Sequence, residues 1–301
     1  MPRQKLRRVH QRDIDILYTL YRARALSSKH IGEMFYSHIN RARERLKQLR
    51  EMGWINYYPY YNKTMYHITD KGLSILREHI DVDEKEKAYN VMISSKRMRA
   101  YQHFSNIIAS TYKHGWDFED SRIIKESLSL PTAAYIQGAL ITPTLEKYPV
   151  FVVNSQSTVP TINGVLREIN SITSARGALL IVSGEDTFMR IIDHPAIPRF
   201  MIPVHILPSA YARRVLPCIL PFSEHSHKYD LVSTQEENCP YRYQGNCVTE
   251  LITFTHSNLI RVRYGTPSGE VWAAEETMSL IRNVTGKYPD KVVNIPCASS
   301  P

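Results

Sequence analysis

Residues 39–72 read INRARERLKQLREMGWINYYPYYNKTMYHITDKG, and the hydrophobic period changes halfway along this segment. Ile39, Ala42, Leu46 and Leu49 recur at helical spacing, and Gly53 follows as a C′ stop. WINYYPYY, NKT and MYHIT then read as strand, tight turn and strand. Proline cannot donate to a ladder, so Pro59 marks an edge or a bulge. A helix resumes in DKGLSILREHI, with Leu73 and Leu76 facing inward. Helix, hairpin and helix within so few residues leave room for few packings.

Two more helices precede this segment. QRDIDILYTLYRARA places Ile14, Leu17, Tyr18 and Tyr21 on one face. LSSKHIGEMFY has Ser27 or Ser28 as N-cap and an apolar face of Ile31, Met34 and Phe35. Ser37 is the expected N-cap of the third helix. Three helices and a hairpin, with RLKQLREMGWI running into YHITDKG, resemble the winged helix-turn-helix layout over residues 8–80.

Charge agrees with that resemblance. The chain carries +9, and residues 1–80 hold 16 Lys+Arg against 7 Asp+Glu. The rest balances at 22 and 22, so the whole excess lies in the first quarter, as in a nucleic-acid-binding region. Opposite the apolar stripe, the third helix presents Ser37, Asn40, Arg41, Glu44, Lys47 and Gln48, flanked by Arg43 and Arg45. Amide and guanidinium groups suit base edges, and flanking cations suit phosphates. Asn40 and Arg41 are therefore expected to read bases. Arg43, Arg45 and Lys63 are expected to hold phosphates, with Tyr60 and Asn62 beside Lys63 on the wing. The competing reading is an ordinary solvated helix face.

The five tyrosines of residues 53–72 admit two readings, a nicking nucleophile set or a wing that grips backbone. Nicking requires a metal site, and only His67 lies near, so the wing is preferred. Alternation puts Ile55 and Tyr57 on one face and Tyr58 and Tyr60 nearer the other.

No run of eighteen apolar residues suggests a membrane span, and the basic start lacks the apolar core of a signal peptide. Cys218, Cys239, Cys247 and Cys297 are too dispersed for a disulfide framework, which points to reduced thiols and the cytoplasm. His225, His227, Cys239 and Cys247 have the chemistry of zinc ligands but not the usual spacing, so a polar surface loop is preferred. P-loop and G-x-S-x-G motifs are absent, and no cofactor or metal is expected.

Residues 81–95 read as a linker and residues 96–301 as an α/β domain with a central mixed sheet. A long helix in residues 96–115 carries Met98, Tyr101, Phe104, Ile107, Ile108 and Tyr112 as its stripe. Strand candidates follow in WDFEDSRII, TAAYIQGALIT, YPVFVVNS, GALLIVSG and FMIPVHILP, with helices in TINGVLREINSITSA and EDTFMRIIDH. THSNLIRVRYG and GEVWAAEE look like a hairpin extending the sheet, and the segment after residue 285 carries no readable role.

This order resembles the restriction-endonuclease-like core, in which a PD and an E-x-K hold Mg²⁺. The corresponding places are Pro131-Thr132 and Asn154-Ser155-Gln156, where every charged member is neutral. Glu119, Asp120, Glu126 and Glu146 are the nearby carboxylates that could have taken over. Together the two parts resemble the replication-relaxation family of plasmids and other mobile elements. That resemblance implies a non-enzymatic, sequence-specific binder of double-stranded DNA in replication initiation, relaxation or transfer. Implied partners are a relaxase or replication protein, or a second copy of the chain. The alternatives are a transcription regulator and a metal-dependent nuclease or relaxase.

Overall fold

The structure, a computed structural model, describes residues 9–60, 63–84, 87–88, 95–221, 226–236, 239–265 and 269–295, without the side chains of 95–97 and 227. The architecture is mixed α/β, in two compact units, Met1–Ala109 and Ser110–Pro301.

Unit 1 runs α1 (Gln11–Ala23), β1 (Leu26–Ser27), α2 (Ser28–Phe35), α3 (Ile39–Glu51), β2 (Ile55–Tyr60), β3 (Lys63–Ile68) and α4 (Asp70–Arg77). The three strands form one sheet in the order β1-β3-β2, antiparallel throughout. Ser27 caps α2, its hydroxyl accepting from His30 N–H. Gly53, at φ 75°, ends α3 in the left-handed region that favours glycine. His38, rather than Ser37, occupies the N-cap position of α3 and makes no side-chain cap; Ser37 is exposed in the turn. Leu17, Leu20, Ile31, Ala42, Leu46, Leu49, Leu73 and Leu76 are buried as their spacing requires, whereas Ile39 is 36% exposed.

The expected boundary at residues 81–95 moves. α5 (Ser95–Tyr112) packs Met98 and Tyr101 against Ala25, Tyr60 and Met65. Ser105 Oγ donates to the Ala25 carbonyl at 2.9 Å, and Asn106 Oδ1 lies 3.0 Å from His30 Nε2. Most of this helix therefore belongs to unit 1.

The end of the hairpin is latched by Thr69. Its hydroxyl donates to the Gly53 carbonyl at 2.6 Å and accepts from Gly72 N–H at 3.1 Å. A Cβ on Gly72 would lie 2.0 Å from the Trp54 carbonyl oxygen. The glycine of ITDKG thus allows α4 to lie directly on the backbone leaving α3.

Unit 2 holds two five-stranded sheets. The first comprises β4 (Asp117–Asp120), β5 (Gly138–Ile141), β6 (Lys147–Val153), β7 (Ala178–Val182) and β8 (Val204–Pro208), neighbours in that order. Helix α6 (Ser121–Ser127) follows β4, α7 (Val159–Ser171) joins β6 to β7, and α8 (Glu185–Ile192) joins β7 to β8. The β4–β5 and β5–β6 pairs are antiparallel; β6–β7 and β7–β8 are parallel. β7 is buried along its whole length, as expected of a parallel strand covered on both faces.

After α9 (Ser209–Ile219), the second sheet repeats this wiring with β9 (Val232–Glu236), β10 (Cys239–Tyr243), β11 (Asn246–Glu250), β12 (Glu270–Ala274) and β13 (Lys291–Val293). Two antiparallel pairs are again followed by two parallel ones. α10 (His256–Tyr264) and α11 (Met278–Thr285) make the two crossovers. The segment after β11 bridges back to β8, with Ile206 N–H on the Phe254 carbonyl at 2.9 Å.

Four expectations are corrected here. A second sheet stands where one central sheet was expected. THSNLIRVRYG is a helix and not a hairpin arm, because Asn258, Leu259 and Val262 form one buried face and the strands it joins are parallel. β9, β10 and β11 form a three-stranded meander and not a surface loop; Gln244 and Gly245 turn it with φ 49° and 86°. Within it Cys239 and Cys247 are disulfide-bonded, with Cα atoms 5.4 Å apart, in place of the expected reduced thiols. His225 and Cys297 lie outside the described residues. No helix among the described residues is long and apolar enough to cross a membrane.

Gly72→Ala should destabilise unit 1 by about 1–3 kcal/mol, because backbone must move to admit the methyl group. Urea unfolding of the full chain measures it, and an unchanged midpoint would contradict the close approach.

Candidate nucleic-acid interface

Helical periodicity divides the outer side of α3 into two flanks. Arg43, Lys47 and Arg50, all exposed, share the flank toward the hairpin. The Arg50 guanidinium lies 5.4 Å from the centre of the Tyr57 ring. Tyr57 pairs across the strands with Tyr66. Burial raises the Tyr66 hydroxyl pKa, and the charges of Arg50 and Arg43 oppose that rise. Three cations and two phenols therefore make one surface.

The other flank carries Arg41, Glu44, Arg45 and Gln48, which line a cleft of about 490 Å³ together with His10, Arg12 and Tyr36. Asn40 is exposed on α3 between the flanks. Arg12 lies 5.0 Å from the Tyr36 ring centre. At the base of the cleft sits Asp13, 1% exposed. It accepts Arg45 Nε–H on Oδ1 at 2.6 Å, Arg45 Nη2–H on Oδ2, and the His10 N–H on Oδ2 at 3.0 Å. Arg45 Nη1–H donates to Gln48 Oε1 at 2.6 Å. The bond to Asp13 holds the Arg45 guanidinium above its ordinary pKa.

The expected set thus separates. Asn40, Arg41, Arg43, Glu44 and Lys47 stand exposed on α3, Gln48 is half-buried beside them, and Ser37 is exposed at its entry. Arg45 departs from its expected role as a phosphate holder, since a buried carboxylate claims it. Tyr60 is corrected outright: it is 7% exposed and belongs to the core with Ala25, Met65, Met98 and Tyr101. Asn62 lies outside the described residues. Lys63 is exposed at the start of β3, near enough to His103 for its charge to add to the burial that lowers that imidazole. Arg50 is absent from the expected set, and Tyr57 and Tyr66 enter it only among the five tyrosines of the wing. Helical spacing from Arg43 and Lys47 places Arg50 on their flank. The Asp13–Arg45 pair, 32 residues apart, left no local signal.

In unit 2, Thr132 lies in an exposed turn, its carbonyl accepting from Lys125 Nζ at 2.9 Å, and β5 begins only at Gly138. It was expected at a strand end; the turn after α6 takes it off the sheet. Asn154 follows β6 and folds the chain there, its side chain accepting from Gln156 N–H at 3.0 Å. Glu119 pairs with Lys147, Asp120 caps α6, Glu146 pairs with Arg176, and Glu126 is exposed. Among the described residues no three His, Cys, Asp or Glu are grouped to share a metal.

The strongest carboxyl perturbation is at Glu250, at the end of β11. It is 1% exposed, and burial pushes it from 4.5 up to about 7 against the opposing bonds from Thr253 and Asn258. The same burial holds His205 and His256 down at about 4. Between about 4.5 and 7 the unfolded chain ionises at residue 250 while the folded chain keeps its proton. Stability from this group is therefore complete at low pH and lost as pH rises through that window. The two histidines act in the opposite sense between about 4 and 6.5, so the wild-type profile mixes both. Subtracting the melting profile of Glu250→Gln isolates the carboxyl. The difference should fall from pH 4.5 to 7 and flatten above it, and a flat difference throughout would refute the assignment.

No protein family, curated protein or solved structure matches this chain.

Proposed function

We propose that the chain is a sequence-specific binder of double-stranded DNA that docks through α3 and the β2–β3 hairpin. The observation that carries this reading is the surface made by Arg43, Lys47, Arg50, Tyr57 and Tyr66, continuous with the outer side of α3. Cations and phenol hydroxyls are the groups that hold phosphates and fix register, while amide and guanidinium groups on the adjoining ridge address base edges. The order of α1, α2, α3 and hairpin supports a winged helix-turn-helix, with α3 in the major groove. The first sheet of unit 2, two antiparallel pairs followed by two parallel ones with α7 as crossover, and the neutral Asn154 and Gln156 after β6 support an endonuclease-like core that has given up cleavage. That pairing is the layout of the replication-relaxation family. A role in replication or transfer of a mobile element follows as the favoured context.

Salt-dependent anisotropy titrations of the full chain test the docking surface. Arg43→Ala and Arg50→Ala should weaken binding to every duplex alike, each lowering the salt slope by about one. Arg41→Ala should cost roughly 1–3 kcal/mol on the selected site and little elsewhere. Equal losses on selected and random duplexes for all three variants would sink the division of roles.

A further inference from the structure

Residues directly opposite each other on two antiparallel strands share a face of the ribbon. Tyr60 pairs with Lys63 and Tyr58 with Met65, so Lys63 stands on the same face as Tyr60 and Met65. That face packs on α5, where Met98 and Tyr101 meet Tyr60 and Met65. Tyr57 and Tyr66 pair on the opposite face, with Arg50 against the Tyr57 ring. Arg99 follows Met98 in α5 and His103 lies one turn beyond it, so the two are neighbours on the helix surface. Both are half-buried, and Lys63 is exposed. The sequence of α5 carries three Lys or Arg and no Asp or Glu. Burial holds the His103 imidazole below its ordinary pKa, and the charges of Arg99 and Lys63 push it the same way. Two cations and an imidazole therefore gather on the side of the hairpin away from Arg50.

We propose that Lys63, Arg99 and His103 form a second phosphate site, on the α5 side of the hairpin, and that His103 takes up a proton when duplex DNA fills it. The inference rests on the DNA-binding reading above and adds α5 to the surface which that reading describes. A backbone phosphate carries one negative charge, and its oxygens accept hydrogen bonds. Set among these groups, it offsets the two charges that oppose a third, and it favours the imidazolium, whose ring nitrogens both donate. The ring, neutral in the free chain at pH 7, then becomes a charged donor. Linkage sets the sign: a ligand that raises a pKa binds more tightly as pH falls. Cations on both faces of a two-stranded ribbon suit a duplex, whose two backbones can flank the wing.

The test is anisotropy titration of the full chain on one duplex at fixed low salt, from about pH 8 to about pH 5. Histidines elsewhere, His10 in the cleft among them, also gain charge in acid, so the quantity read is the ratio of wild-type affinity to that of His103→Gln. That ratio should grow as pH falls, by up to about tenfold for each unit by which the phosphate raises the imidazole. Near neutrality, Arg99→Ala should lower the salt slope by about one. Circular dichroism checks the fold of each variant across the range; where His103→Gln does not fold, Arg99→Ala decides alone. A ratio that stays flat, or an unchanged slope for Arg99→Ala, would overturn the inference while leaving DNA binding intact. Failure of wild type to bind any duplex at low salt would overturn the DNA-binding reading and this inference with it.

Discussion

Unit 1 is organised around a carboxylate almost without water. Asp13 closes the first turn of α1 by accepting the His10 N–H, and the same group neutralises Arg45 of α3. Removing one partner of such a pair leaves a buried charge, at about 3–5 kcal/mol. The pair therefore fixes the angle between α1 and α3 more firmly than leucine contacts alone, which tolerate sliding. It also restricts the proposed reading surface, since a helix meant to enter a groove gains from side chains whose rotamers are already chosen.

Much of this unit could be read from residue order. The apolar spacing of α1 to α4, the Ser27 cap and the Gly53 stop each rest on neighbours within a turn, and each appears where local rules put it. The misplacements share a different cause. Tyr60 looked like a wing residue because its partner surface, Met98 and Tyr101 of α5, arrives from nearly forty residues away. Arg45 looked like a phosphate holder because Asp13 is equally remote in sequence. Ser37 yielded the cap to His38 by a single residue, within the ordinary uncertainty of helix ends. In unit 2 the period-two run IRVRY imitated a strand, and Gln-Gly did the work of the more familiar Asn-Gly turn.

The two sheets of unit 2 share one sequence of choices: two reversals, then two crossovers. Antiparallel neighbours can be joined by a tight turn, but parallel ones need a connection long enough to return along the sheet, and a helix supplies it. That explains why α7, α8, α10 and α11 fall where they do. It does not require the two copies to look alike in residues. β6 is apolar from Tyr148 onward, whereas β11 buries Thr249 and Glu250. The second copy consequently carries a carboxyl, Glu250, that burial pushes up to about 7.

Tyrosine occupies both faces of β2, so a slip of one residue against β3 would exchange aromatic for aromatic and meet little resistance from polarity. The phase of the hairpin has to come from outside the repeating part. Thr69 provides it: its N–H holds the Trp54 carbonyl at 3.0 Å and its hydroxyl holds Gly53. Counted from that fixed point, Ile55 must meet Ile68, Tyr57 must meet Tyr66 on the side of α3, and Tyr60 must turn toward the core. One hydroxyl thus acts as an indexing pin, giving an ambiguous aromatic ladder its origin and deciding which phenols face solvent.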